Sequence, residues 1–280
     1  MKIKVACISL TATSDQKSNI ENAISAVRAS ATEGATWVAL PEMISYLGPY
    51  DTLWEKADSF EGDLFQTFSQ LSKELNIVLF AGTWGERPRP SEAPNEGTRK
   101  VFNTAHVFGR QGELLARYRK IHLFSLANEL GEKIHSEPDG YLSGNQFVSV
   151  LIDGLRVHLA ICYDLRFPEM FSTLQKLGSC DVLMAPSAFT KATGERHWEL
   201  LCRSRAIDLQ AWVVAPNQVG CHYGNKESYG HAMIVDPWGN ICSETGDAPG
   251  TAFYEIDFEK TRTFRTKLPV LANQRHDLYS

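Results

Sequence analysis

Apolar positions recur with two different periods along this chain, and their alternation predicts its architecture. KIKVACISL, at 2–10, opens with the every-second-residue pattern of a strand. Ile20, Ala23, Ile24, Val27 and Ala31 then fall at helical spacing over 18–35, with Gly34 ending the stretch and WVALPE reading as a short buried strand. Leu64, Phe68, Leu71 and Leu75 form one helical stripe, and IVLFAG is the next strand. Beyond it, 101–108 and 113–120 flank the turn GRQG as a hairpin, and 125–145 has no clear period and reads as a long loop. FVSVLI and LRVHLAI pair across Asp153-Gly154. PEMFSTLQKLG is a short helix with Pro168 at its first position, DVLMAPS a strand, 195–210 a long helix and AWVVAPN a strand. HAMIVDPWGNICSE is a hairpin, and TAFYEID a last strand before a charged tail. Strands alternating with helices indicate an α/β protein. The order strand–helix–strand–helix–strand occurs before residue 85 and again after 155. Two similar halves sharing one core, and so a single domain over 1–280, are expected.

Composition narrows the function. The 280 residues are 43% hydrophobic and 22% charged, enough apolar surface for a folded core. Lys and Arg number 28 against 33 Asp and Glu, a net charge of −5 that argues against a nucleic-acid binder. No run approaches the roughly 20 apolar residues of a membrane span, so no membrane partner is expected. The opening residues lack a signal peptide's apolar core and cleavage pattern, and a cytoplasmic location is expected. The cysteines, at 7, 162, 180, 202, 221 and 242, are too dispersed for a disulfide framework and lack zinc-ligand spacing.

Three positions carry candidate chemistry. In LRVHLAICYDLRFPEMF, Val157, Leu159 and Ile161 alternate up to Cys162, which precedes a helix starting near Pro168. A sulfur at a strand end near a helix N-terminus is exposed to positive dipole, and a lowered thiol pKa is expected there. On spacing alone a buried core cysteine is the favoured reading of Cys162. Glu42, just past WVALP, stands where α/β folds bind ligands, though a solvated loop glutamate would look the same. Lys120, in ARYRKIHLF, lies where a hairpin strand gives way to loop, and could belong to a solvated strand face with Arg117 and Arg119.

Together these segments resemble the nitrilase superfamily, the carbon–nitrogen hydrolases, in the order Glu, Lys, Cys and in their spacing. ICYDLRFPE is similar to the amidase branch at every position, and the likeness runs from KVACISL to LPVLANQRHDLYS. The resemblance implies a four-layer α-β-β-α sandwich. It implies Cys162 as nucleophile, Glu42 as general base and Lys120 as stabiliser of the tetrahedral intermediate, with the Tyr163 backbone N–H completing the oxyanion hole. It also implies a second glutamate, Glu137, seven residues before Gly144, with Glu129 and Glu132 as rivals. Asp164 is expected to brace the turn. Arg166 and Glu169 belong to the same motif, and Arg166 is expected in a structural ion pair, with a catalytic role as the alternative. His197, Trp198 and His231 are expected to be structural.

The same resemblance points to a small-molecule amide as substrate and to no cofactor or metal. APSAFTKATGERHWELLCRSRAIDLQ and ESYGHAMIVDPWGN are similar to amidases of small carboxylated amides, the deaminated-glutathione amidase and omega-amidase groups, with SYGH nearer the first. Tyr46, Tyr50, Phe189, Thr190 and Thr193 are expected to line the substrate pocket, where a cation of unassigned position should meet the carboxylate. A homodimer through the helix at 195–210 and the C-terminal tail is implied as well. A cysteine–histidine hydrolase and a non-catalytic binding member of the fold are the competing readings.

Overall fold

The computed structural model describes residues 1–278 apart from Pro94, Glu96 and His276; these three, with Tyr279 and Ser280 of the closing run, lie outside the described residues. Two sheets stack face to face. In the first, Lys2–Leu10, Trp37–Ala39 and Val78–Glu86 run parallel, and Val101–Phe108 and Leu114–Arg119 extend the sheet as the antiparallel hairpin expected around GRQG. Gly250–Asp257 returns to pair antiparallel with Lys2–Leu10 over its whole length. In the second, Leu155–Leu159, Val182–Met184 and Trp212–Ala215 are parallel, flanked by Ser149–Ile152 and by Met233–Val235 with Ile241–Glu244.

The period of two sorts each central strand between two environments. Val5, Cys7, Trp37, Ala39, Val78 and Phe80 face the second sheet in a shared core with Val157, Leu159, Val182 and Val213. Ala6, Ile8, Val38, Leu40, Leu79 and Ala81 face outward, under the helices Gln16–Thr32 and Asp63–Leu75. The helices Pro168–Gln175 and Lys191–Leu209 cover the far side of the second sheet through Met170, Phe171, Trp198, Cys202 and Ala206. The result is the four-layer α-β-β-α sandwich.

Four elements depart from the sequence reading. The supposed loop at 125–145 contains a small hairpin, Ser125–Ala127 with Lys133–Ser136, followed by a 3-10 turn at Glu137–Asp139. Strands of three and four residues are too short to display a period. The long helix begins at Lys191 and not at 195 and includes Gly194; a side chain there would meet Tyr229 Cβ at 2.3 Å, so the glycine permits close packing inside the helix. The strand after Trp212–Ala215 crosses to the first sheet as Asn217–Cys221, paired with Glu227–Tyr229. The charged tail starts as the helix Phe258–Lys267, which buries Phe258, Thr261 and Phe264.

Candidate active site

Glu42 lies three residues past the end of Trp37–Ala39, on a segment held by the neighbouring strand. Gly82 sits in a bulge with φ +64°, and a Cβ there would lie 2.1 Å from the Pro41 carbonyl oxygen. That close approach lets the Thr83 N–H donate to Pro41 O (3.2 Å), while the Met43 N–H donates to Thr83 Oγ1 (2.8 Å). Gln218 Nε2 donates to the Glu42 carbonyl at 2.8 Å. The Glu42 carboxylate, 1% exposed, accepts from Lys120 Nζ (2.9 Å), Asn103 Nδ2 (2.7 Å) and the Ala188 N–H (2.7 Å).

Lys120 follows Leu114–Arg119 and is fully buried; its Nζ also donates to Glu137 Oε1 at 2.8 Å. The other Glu137 oxygen accepts from the Phe124 N–H at 2.6 Å. Burial alone would push the Lys120 ammonium down, but the facing charges of Glu137 and Glu42 hold it well above its ordinary value. Burial, aided by the Glu42 charge and opposed by Lys120, raises the Glu137 carboxyl. Lys120 is therefore a fixed cation between two carboxylates. Glu129 and Glu132 lie exposed near the hairpin tip.

Cys162 lies three residues past Leu155–Leu159 of the opposite sheet and opens the 3-10 turn Cys162–Arg166, with φ +48°. Such a left-handed, non-glycine backbone is the strained geometry that lifts a nucleophile clear of its strand. Asp164 braces the turn: it accepts from the Ile161 N–H (2.8 Å), from Tyr118 Oη (2.7 Å) and from the His122 N–H (3.1 Å). Tyr118 lies on the strand that carries Lys120, so one carboxylate ties the two sheets together beside the site. The expected depression of the thiol pKa does not occur. Burial, then the negative charge of Glu42, raises it well above the ordinary value of 9.0, with Lys120 opposing. The short turn buries the sulfur against carboxylates, and that outweighs any dipole. The groups that weigh most on this thiol are Glu42, Lys120, Glu137 and the Ala188 backbone, none of them a histidine.

Glu42, Glu137 and Cys162 line one cavity of about 470 Å³, with Lys120 buried behind its wall. Tyr46, Tyr50, Phe124, His135, Tyr141 and Lys226 are also among its lining residues. Among the described residues no group of three His, Cys, Asp or Glu side chains could hold a metal ion, and no helix is long and apolar enough to cross a membrane.

The carbon–nitrogen hydrolase family model matches residues 4–266. The chain is 36% identical to human omega-amidase over 280 residues, 99% of this chain and 96% of that protein. It is 35% identical to human deaminated glutathione amidase over 278 residues, 98% of this chain and 83% of that protein. The crystal structure of the C. elegans NitFhit protein superposes with a TM-score of 0.88 at 31% identity, over 100% of this chain and 66% of that one. The chain belongs to the carbon–nitrogen hydrolase family. It is a hydrolase of carbon–nitrogen bonds on a nitrilase-superfamily fold.

Within this carbon–nitrogen hydrolase the expected pocket residues separate. Tyr46, Tyr50 and Thr190 stand on the cavity wall. Phe189 and Thr193 do not: Phe189 turns into the core against Trp198 (5.2 Å between rings), and the Thr193 hydroxyl bonds that of Thr190 (2.7 Å). Tyr163 packs its ring on Phe124 and Phe167 and is also off the wall; its N–H is the second of a turn whose first donors have no partner within it. The ion pair expected of Arg166 is not found among the described residues. Its guanidinium lies 3.3 Å from His197 Nδ1 and over the Phe189 ring. Trp198 Nε1 donates to the His231 carbonyl (2.7 Å). Sequence reading missed Asn103, in the strand VFNTAHVF; the polar Asn103-Thr104 pair breaking its apolar run was the available signal. It also missed His135 and Lys226, which lie in segments without a period.

Proposed function

We propose that this carbon–nitrogen hydrolase is a thiol amidase acting on a small carboxylated amide, with Cys162, Glu42 and Lys120 as its reacting set and Glu137 as positioning residue. The observation that carries the reading is the convergence of four chain segments: Glu42 and Glu137 share the Lys120 ammonium at 2.9 and 2.8 Å on the wall where Cys162 emerges.

In this mechanism the Cys162 sulfur attacks the amide carbonyl while its proton passes to Glu42. The Lys120 charge and the Tyr163 N–H stabilise the oxyanion. Donors of this kind are worth roughly 2.7–4 kcal/mol each. The tetrahedral intermediate collapses as Glu42 returns the proton to the leaving nitrogen, which departs as ammonia or as an amine. A thioester remains. Glu42 then deprotonates water, which attacks the thioester, and the proton goes back to sulfur as the acid leaves. The raised thiol pKa fits this sequence, because sulfur loses its proton only with a base at hand.

Deaminated glutathione is the first substrate to test, with 2-oxoglutaramate, the omega-amidase alternative, beside it; both present the same acyl chain to the site. The test is release of cysteinylglycine from the first and ammonia from the second, with wild type and Cys162→Ala. Loss of release in the variant is expected, and the ratio of kcat/KM values assigns the branch. Release that survives Cys162→Ala, or its absence from wild type with both, overturns the reading. The proposal includes a cytoplasmic homodimer. Six free cysteines suit a reducing compartment, and an exposed apolar patch on the outer helix suits self-association.

A further inference from the structure

Three side chains on the cavity wall form a donor relay that the reaction scheme leaves unused. Lys226 Nζ lies 3.4 Å from His135 Nδ1, and His135 Nε2 lies 3.0 Å from Tyr50 Oη. An ammonium only donates, so Nδ1 accepts, and the imidazole proton sits on Nε2 and donates to Tyr50. Burial, with the charges of Lys226 and Lys120, pushes the His135 pKa down to about 4, which keeps the ring neutral in this tautomer. The Tyr50 hydroxyl, its pKa raised by burial and by Glu137, keeps its own proton. With its oxygen occupied by His135, Tyr50 must donate elsewhere.

Among the described residues neither that proton nor the remaining Lys226 protons meet an acceptor. The other lining ammonium, Lys191, is paired to Glu227 at 3.3 Å, and Lys120 behind the wall is held by two carboxylates. Lys226 is the lining lysine without an ion pair among the described residues. We propose that Lys226 and Tyr50, aligned by His135, form the seat for the substrate carboxylate remote from the scissile amide, and so set the specificity of the site. This inference rests on the amidase reading above, and its test is built to separate the two.

The test is calorimetric binding to Cys162→Ala protein, which needs no turnover. The probes are glutaramate, an amide with a remote carboxylate, and pentanamide, its uncharged counterpart. Glutaramate is expected to bind at least 10-fold tighter than pentanamide. Adding Lys226→Met should remove most of that difference, Tyr50→Phe should remove part, and Lys226→Arg should retain more of it than Lys226→Met. Thermal melts confirm that each variant is folded. Equal binding of the two probes, no binding of glutaramate, or a glutaramate affinity within threefold after Lys226→Met overturns the seat. Wild-type protein that binds glutaramate through Lys226 yet hydrolyses no amide counts against the amidase reading alone.

Discussion

Cys162 holds its side chain on a backbone that L-residues avoid, φ +48°, at a cost of order 1–3 kcal/mol. Its turn is fastened by Asp164 from three sides, so the surrounding structure over-determines the strained position. The sulfur it presents is a protonated thiol at rest, and that has a measurable consequence. Alkylation of the free enzyme by iodoacetamide should keep rising with pH through and beyond the ordinary thiol value of 9.0, with no plateau below pH 8. Glu42→Gln removes a negative charge beside the sulfur and should move the profile to lower pH; a shift upward would contradict the assigned electrostatics. Lys120 makes the complementary case. Lys120→Ala leaves Glu42 and Glu137 facing one another in a buried site, which should destabilise the fold by about 3–5 kcal/mol. In the protein that remains folded, acylation should fall by roughly 100-fold or more, the scale of one lost oxyanion donor. A normal acylation rate would remove Lys120 from the reacting set and return attention to a histidine base.

At the scale of elements, the site depends on how short irregular pieces are pinned to long regular ones. The Gly82 bulge brings the Thr83 N–H to the Pro41 carbonyl, and so places Glu42. Gly82→Ala would drive a methyl group into that carbonyl, and should lower kcat and Tm together; an unchanged kcat would show that Glu42 is placed by other contacts. A second clamp holds the strand before Lys120. Arg119 bonds both Glu86 and Glu92, the latter at 3.0 Å. Arg119 foremost, with Arg89, lowers the Glu92 pKa to about 2 from an ordinary 4.5. Because the folded value is the lower one, this stabilisation is present above pH 4.5 and is lost as the pH falls toward 2. Thermal melts across that window should show a shallower fall in Tm for Glu92→Gln than for wild type. Elements of this kind mark the limit of what the sequence makes legible. The long alternating strands and the stripe of Leu64–Leu75 announce themselves because many residues repeat one period. Glu42, Lys120 and Cys162 stand just past strand ends, where each alone reads as an ordinary loop or core residue, and only the resemblance joined them into one site. Glu137 could be named only from resemblance, since its 3-10 turn has no period of its own. Phe189 and Thr193 were misplaced because strand-end position does not say which way a side chain turns; Phe189 turned inward to Trp198. Lys226 and His135 meet across 91 residues of sequence, and no local pattern records such a meeting.

For the whole molecule, the groups proposed to react come from both sheets of one chain, while a group of exposed apolar side chains lies off the cavity wall. Ile207 is 47% exposed and Trp238 is 56% exposed. They belong to one surface, because Arg203 Nε donates to the Gly239 carbonyl at 2.7 Å and so holds the Pro-Trp-Gly turn against the helix. Leu268 (43% exposed) joins this end through its carbonyl, which accepts from Gln210 Nε2 at 2.6 Å. Exposed apolar side chains gathered at one end of a folded chain mark an association surface, and a second copy is the partner we expect there. Light scattering at micromolar concentration should give a dimer for wild type and a monomer for the double variant Ile207→Glu, Trp238→Glu. A wild-type monomer would rule the dimer out. The same helix begins at Lys191 on the cavity wall, so its two ends join patch and site. The sixteen residue steps from Lys191 to Ile207 span about 24 Å at a rise of 1.5 Å per residue. Over that distance a surface charge is largely screened at physiological salt, and the helix core around Trp198 and Cys202 stays packed in either state. The monomeric variant should therefore keep kcat/KM within about threefold while its Tm falls, since association stabilises the folded chain by mass action. A loss of activity in proportion to the loss of dimer would instead mean that the helix N-terminus is set by the partner, and that the cavity described for one chain is completed only in the pair.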